Sequence, residues 1–334
     1  MVVTMKVQDL MEDALERIQR LQTAEGLFPC HQKINTGQST DRWQESIPIP
    51  FITASVLCSL KEIRSEKTEE IFSRGYRYLT GLQEYGGLWR YWQHHAAADR
   101  VPPDADDTCL CSFFIKTYKK NVLENVNWIT ENCNSEGMLL TWFVPRAQFE
   151  KYPALHSALL EDADYYQDTV RKGYLHPDDW EIAVMANILL YLGENAATAR
   201  AVQFIADSLI NDRPFEKQFY KEDAVIWYHV ARAYHNGIRS FAVLRETALR
   251  KWHPLMQQIP EQPETHCALL AAITLSYFNL PVTGTPFYDW ILSAPPAALE
   301  DIFPYYHSKD SLFTAGAPAL NWAWYAELLH QLSR

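Results

Sequence analysis

Apolar positions along this chain recur with the period of helices, and the helical segments fall into two kinds. Six stretches are apolar on nearly every face: 51–63, 106–118, 180–192, 223–234, 265–278 and 320–332. Six others are amphipathic: 7–22, 66–82, 121–132, 197–210, 240–256 and 286–292. A helix that is apolar all round must be surrounded by other elements, whereas a striped one can cover it. The regular alternation of the two kinds is a repeat signature. It predicts an all-α fold, an (α/α)6 barrel of six inner and six outer helices. Alternation with period two is almost absent, so strands are not expected. No Ser/Gly-rich linker or shift of composition divides the chain, and a single domain over 1–334 is expected.

In such a barrel the six inner N-termini open at one end. The loops leading into them are polar or aromatic: 43–45, 104–107, 176–179, 219–223, 264–266 and 318–322. One carries Asp104, Asp106 and Asp107, directly after Pro102-Pro103 and before an apolar run. Asp is a favoured N-cap residue, and prolines suit the approach to a helix. The cluster therefore reads as the first turn of a buried helix. Like charges this close raise the pKa of at least one carboxyl, while a helix N-terminus stabilises the anion. The balance suits a carboxylic acid that holds its proton at rest and yields it to a very weak base.

Composition narrows the partners. The 334 residues are 48% hydrophobic and 13% aromatic, with 11 tryptophans, so a large core can be filled with rings to spare. A net charge of −11 argues against nucleic acid and disfavours an anionic membrane surface. Residues 1–22 read as an amphipathic helix with acids throughout, and no apolar run of 18 residues occurs. Cys30, Cys58, Cys109, Cys111, Cys133 and Cys267 are scattered, with no CxxC pair. These features describe a soluble, reduced, cytoplasmic protein of unspecified oligomeric state.

Two motifs resemble a known family. Asp104-Ala105-Asp106-Asp107-Thr108 resembles the DxDDT motif of class II terpene cyclases, the superfamily of squalene–hopene and copalyl diphosphate synthases. Arg74-Gly75, Tyr78-Leu79, Gln83, Gly87 and Trp89 match the QW repeat of triterpene cyclases, and Gln22, Gly26 and Phe28 look like a decayed copy. The length fits only the barrel domain that carries DxDD, as in monodomain bacterial class II cyclases. The resemblance implies a small-molecule isoprenoid substrate, a linear polyprenyl chain on a dihydroxybenzoic acid head, folded into a fused polycycle. It implies Asp106 as proton donor, tuned by Asp104 and Asp107. Asp179 aligns with an acid that in bacterial triterpene cyclases braces a histidine beside the donor, but this chain has Ala183 where that histidine would stand. Tyr220 matches a family tyrosine that orders water near the acid. No cofactor or metal is implied: the DDxxD of class I cyclases and the zinc triad of protein prenyltransferases are both missing.

Protonating an alkene creates a carbocation, so water must be excluded and aromatic faces can stabilise the charge by about 0.5–2 kcal/mol per ring. Candidate rings are Trp43, Tyr91, Trp92, Trp142, Trp180, Tyr220, Trp227, Trp322 and Trp324. His94 or His95 is the guess for a terminating base, and Arg42, Arg90, Arg100 or Arg146 for holding an anionic head group. Weak peripheral contact with a membrane is compatible with so greasy a substrate. Two other readings stay open. Paired acids and tryptophans in an α/α6 barrel also describe some glycoside hydrolases, which use two carboxylates roughly 5–10 Å apart. A non-catalytic isoprenoid-binding barrel is the other.

Overall fold

The computed structural model describes residues 2–37, 41–46, 48–92, 101–121, 123–173, 175–213, 217–261, 264–308 and 313–334. The predicted inner helices are α2 (Pro50–Leu60), α4 (Ala105–Lys119), α7 (Ile182–Leu192), α9 (Asp223–His235), α11 (Thr265–Tyr277) and α13 (Pro318–Leu332). Each packs on the next in chain order, and α13 returns to pack on α2, which closes a ring. All of α2 is buried, and so is almost all of α7 and α11, as their all-round apolarity requires. Pro50 and Pro318 open α2 and α13 at their first turns, where a missing N–H costs nothing.

The predicted outer helices appear as α1 (Val2–Leu21), α3 (Glu66–Gly81), α5 (Val126–Glu131), α8 (Ala199–Ile210), α10 (Arg245–Met256) and α12 (Pro286–Ile291). In α3 the buried residues Thr68, Ile71, Phe72, Gly75 and Leu79 fall three to four apart, and a Ser65–Thr68 capping box starts the helix. The outer layer also holds α6 (Pro153–Arg171), which the hydrophobic pattern does not indicate. No described helix is long and apolar enough to cross a membrane.

Contrary to expectation, the loops at the open end form a four-stranded antiparallel sheet. It consists of β1 (His31–Ile34), β2 (Gln44–Glu45), β3 (Tyr306–His307) and β4 (Phe313–Gly316), in the order β2-β1-β4-β3. His31 pairs with Gly316, and Tyr306 with Ala315. Strands of two to four residues are too short to leave an alternation in the sequence.

The QW-like residues tie the layers together in two parallel ways. Gln22 donates through Nε2 to the carbonyls of Gly26 and Ile71, and the Phe28 N–H donates to Thr53 Oγ1 at 3.0 Å. One repeat on, the Trp89 N–H donates to Thr108 Oγ1 at 3.0 Å, and Trp89 Nε1 donates to Leu79 O. Both turns need glycine. Gly26 and Gly87 have φ of +99° and +74°, and a Cβ on Gly26 would lie 2.3 Å from Arg74 O. Through Thr108 the second tie sets the first turn of α4.

Candidate active site

Asp104 caps α4: its Oδ1 accepts the Asp107 N–H at 2.8 Å, and its backbone N–H donates to Trp89 O at 3.0 Å. Asp106 and Asp107 follow in the first turn, and all three side chains are buried. They line one cavity of about 20 Å³ with Phe51, Tyr91, Thr141, Trp142, Val184, Phe219 and Tyr306.

Asp106 is held by two groups. Asn187 Nδ2, from α7, donates to Oδ1 at 2.5 Å, and the Tyr220 hydroxyl donates to Oδ2. Burial raises the Asp106 pKa, while the bonds from Tyr220 and Asn187 and the charge of Arg232 pull it back. Burial likewise holds Asp104 and Asp107 above the ordinary carboxylate range, each raised further by its acidic neighbours. The Tyr220 phenol is pushed well up by burial and by the Asp106 charge, so it is neutral.

Glu181, just before α7, sets the height of Tyr220. Its oxygens accept the Phe219 and Tyr220 N–H groups at 2.8 and 3.1 Å, and burial pushes its pKa up to about 8. Asp179 takes a different place from the one the resemblance implies. Its Oδ2 accepts Trp142 Nε1 at 3.2 Å and the His176 N–H at 2.7 Å, so it braces a cavity wall in place of a histidine beside the donor. With Ala183 where the family histidine stands, Asn187, one helical turn further along α7, supplies the contact to the acid.

The rings divide into three groups. Tyr91 and Trp142 line the cavity. Trp92 packs behind Tyr91 at 5.4 Å, and Trp324 behind Tyr305 at 5.2 Å. Trp43, Trp180, Trp227 and Trp322 lie elsewhere. Trp43 precedes the outer strand β2. Trp180 packs edge-on against Phe204 of α8. Trp227 lines a surface cleft between α8, α9 and α10. Trp322 faces α1, where Arg17 covers it at 4.7 Å. An inner helix has an outward face as well as an inward one, and an indole fills the gap to the outer layer equally well.

Phe51, Phe219 and Tyr306 line the cavity and are not among the rings expected from the sequence. Tyr306 stacks on Phe219 at 5.8 Å with planes 2° apart, and on Tyr91 at 5.0 Å. Tyr305 stacks on Phe51 at 5.6 Å. The weight given to tryptophan hides these phenyl rings, although the place of the 219–223 loop before an inner helix points to Phe219.

Of the arginines, Arg90 is buried in ion pairs with Glu84 and Asp162, and Arg146 binds Asp178 and Pro177 O. Arg42 lines a shallow cleft beside β1 and β2. Arg100, His94 and His95 lie outside the described residues. Among the described residues, no group of three or more His, Cys, Asp or Glu side chains is arranged to hold a metal ion.

No protein-family profile and no curated protein sequence matches this chain. Solved structures do. A protein from Actinoplanes superposes with a TM-score of 0.68 at 12% identity, covering 98% of this chain and 100% of that one. A single-substitution variant of the type II terpene cyclase MstE from Scytonema, in complex with its product merosterolic acid A, superposes with a TM-score of 0.60 at 12% identity, covering 99% and 98%. A different variant of MstE, in complex with its substrate geranylgeranyl dihydroxybenzoate, gives 0.60 at 11% identity, again covering 99% and 98%. Over nearly its whole length, this chain has the fold of the type II terpene cyclase MstE.

Proposed function

We propose that the protein is a class II terpene cyclase that protonates the terminal alkene of a linear polyprenyl chain and guides its closure into a fused polycycle. The observation that carries this reading is Asp106, a buried carboxyl held by Asn187 and Tyr220 in a cavity walled by aromatic rings. Asp106 gives its proton to the alkene carbon. The alkene π electrons form the new C–H bond, and a tertiary cation remains. Successive alkenes attack it in turn. The last cation passes a proton to water at the cavity mouth to leave the final alkene, and Asp106 regains a proton from solvent before the next turnover. Phe51, Tyr91, Trp142, Phe219 and Tyr306 present faces that stabilise cations without capturing them. Exclusion of water protects each cation from early quenching.

The carboxylates that line the cavity come from one turn of α4, which gives a glycosidase no pair across a scissile bond. A geranylgeranylated dihydroxybenzoate is the first substrate to test, with geranylgeranyl diphosphate as the alternative head group. Purified protein in EDTA should convert one of them to an isomeric polycycle. Asp106→Asn should abolish the product while leaving the circular dichroism and melting curve intact. Binding of either compound without conversion would replace the cyclase with a non-catalytic isoprenoid-binding barrel.

A further inference from the structure

Behind Asp106 lies a buried polar network that runs across the inner helices. Asn187 Oδ1 accepts Arg232 Nη2 at 2.7 Å and lies 2.9 Å from His229 Nδ1. A guanidinium can only donate, so the group facing it must be the amide oxygen. The Asn187 NH2 is therefore turned to Asp106, and its orientation follows from chemistry. With Oδ1 of Asp106 occupied as an acceptor, the acidic proton belongs on Oδ2, beside the Tyr220 hydroxyl. His229 also belongs to the network: its Nδ1 lies 3.0 Å from Arg232 Nη2, and its Nε2 lies 2.6 Å from the Tyr305 hydroxyl.

Arg232 is itself fully buried and needs a counter-charge. Its Nη1 donates to the Tyr228 hydroxyl at 3.3 Å, and Tyr228 donates to Glu327 Oε2 at 2.8 Å. The Tyr277 hydroxyl donates to the other Glu327 oxygen. Both Glu327 oxygens thus accept hydrogen bonds, and the Glu327 charge stabilises the Arg232 guanidinium.

We propose that Arg232 is the positioning residue of the catalytic acid: it locks the Asn187 amide so that the proton is carried by Asp106 Oδ2, while Glu327 balances its charge and so keeps Asp106 protonated at rest. The assignment rests on the cyclase reading of Asp106. A cation whose charge is balanced nearby strengthens the acid without stripping it. The same cation left unbalanced would ionise Asp106 before any substrate arrived.

The surroundings leave this task to Arg232. On the Asp106 helix stand Asp104, Asp107 and Cys109, and Glu181 stands before α7. The phenols of Tyr220, Tyr305 and Tyr306 approach from the other loops. His229 is held neutral by burial and by Arg232.

The test is an infrared titration of the Asp106 carboxyl, assigned by difference from Asp106→Asn, run beside the pH–rate profile. Arg232→Gln should move the Asp106 midpoint upward, with KM little changed and kcat falling about tenfold for every pH unit the midpoint moves. Glu327→Gln should move the midpoint downward, so that activity lost at neutral pH returns in acid. Arg232→Lys keeps the charge without the fork, and should leave the midpoint near wild type with a reduced kcat. If Arg232→Gln does not fold, the double variant Arg232→Gln/Glu327→Gln isolates the cation against the Glu327→Gln background, and its midpoint should lie above that of Glu327→Gln alone. Midpoints that stay put, or that move in one direction for both single charge removals, would overturn the proposal. Because the titration needs no turnover, a wild-type protein inert towards every polyprenyl substrate would sink the cyclase reading separately.

Discussion

As the proposed catalytic acid, Asp106 combines three demands that pull against one another: it must be buried, protonated and acidic. Burial supplies the proton, and the bonds from Asn187 and Tyr220 temper the cost of losing it. The Tyr220 bond depends in turn on Glu181, whose two oxygens fix the Phe219 and Tyr220 backbone. Glu181→Gln keeps the shape but turns an NH2 towards one of those N–H groups, a mismatch worth about 1–3 kcal/mol. We expect kcat to fall roughly tenfold with KM nearly unchanged. Since Glu181 acts through Tyr220, the double variant with Tyr220→Phe should turn over no more slowly than Tyr220→Phe alone. Steady-state kinetics of the three variants decide it, and additive losses would assign Glu181 a separate role. The acid itself was legible in the sequence because its chemistry is local, three carboxylates within one helical turn. Its support was not, because Asn187, His229, Arg232 and Glu327 are brought together from three helices. A signal for them does exist. Each is a polar residue set in a helix otherwise apolar on every face, where burial without a partner would be costly.

Among the elements, the inner helices were readable because an all-round apolar stretch has few other places to go, and the closed ring follows from six of them. The sheet was hidden by its brevity, yet it delivers one ring of the cavity wall. β3 holds Tyr306 against Phe219 and Tyr91 at the cavity wall, with Phe313 of β4 at 5.9 Å behind it. A cavity of about 20 Å³ holds a water molecule or so, whereas sites for sizeable ligands span roughly 300–1,000 Å³. A polyprenyl chain can enter only if rings such as Tyr306 swing aside. Tyr306→Ala should therefore ease entry and weaken the seal together. KM should fall, and alcohols formed by water capture should rise several-fold relative to the wild-type hydrocarbon skeleton. Removing a buried aromatic ring costs about 3–5 kcal/mol, and the half-buried Tyr306 should fall at or below the lower end of that range. Product analysis by mass spectrometry checks the alcohols, and an unchanged product spectrum would place Tyr306 outside the reaction.

Seen across the whole molecule, the site makes folding compete with charge. Asp104, Asp106, Asp107 and Glu181 are all carboxyls that burial raises above their ordinary range. A carboxyl whose folded pKa is raised binds its proton more tightly in the native state than in the unfolded chain. Its stabilising contribution is complete below the unfolded pKa and fades as pH climbs to the folded one. For Glu181 that window runs from 4.5 to about 8, and within it such a group removes about 1.4 kcal/mol per pH unit. Opposing this, Glu62 is paired with His235 and Lys61 and held well below the usual carboxylate range, so its contribution is lost as pH falls beneath 4.5. The two tendencies predict a stability maximum on the mildly acidic side of neutrality, with a melting temperature that drops by several degrees towards pH 9. Asp104→Asn retains a good helix cap and removes one of the buried acids. It should flatten the alkaline limb of the melting profile and leave the acid limb in place. Calorimetry of both proteins from pH 4.5 to 9 reads the difference directly, and parallel alkaline limbs would mean that Asp104 is ionised in the native protein.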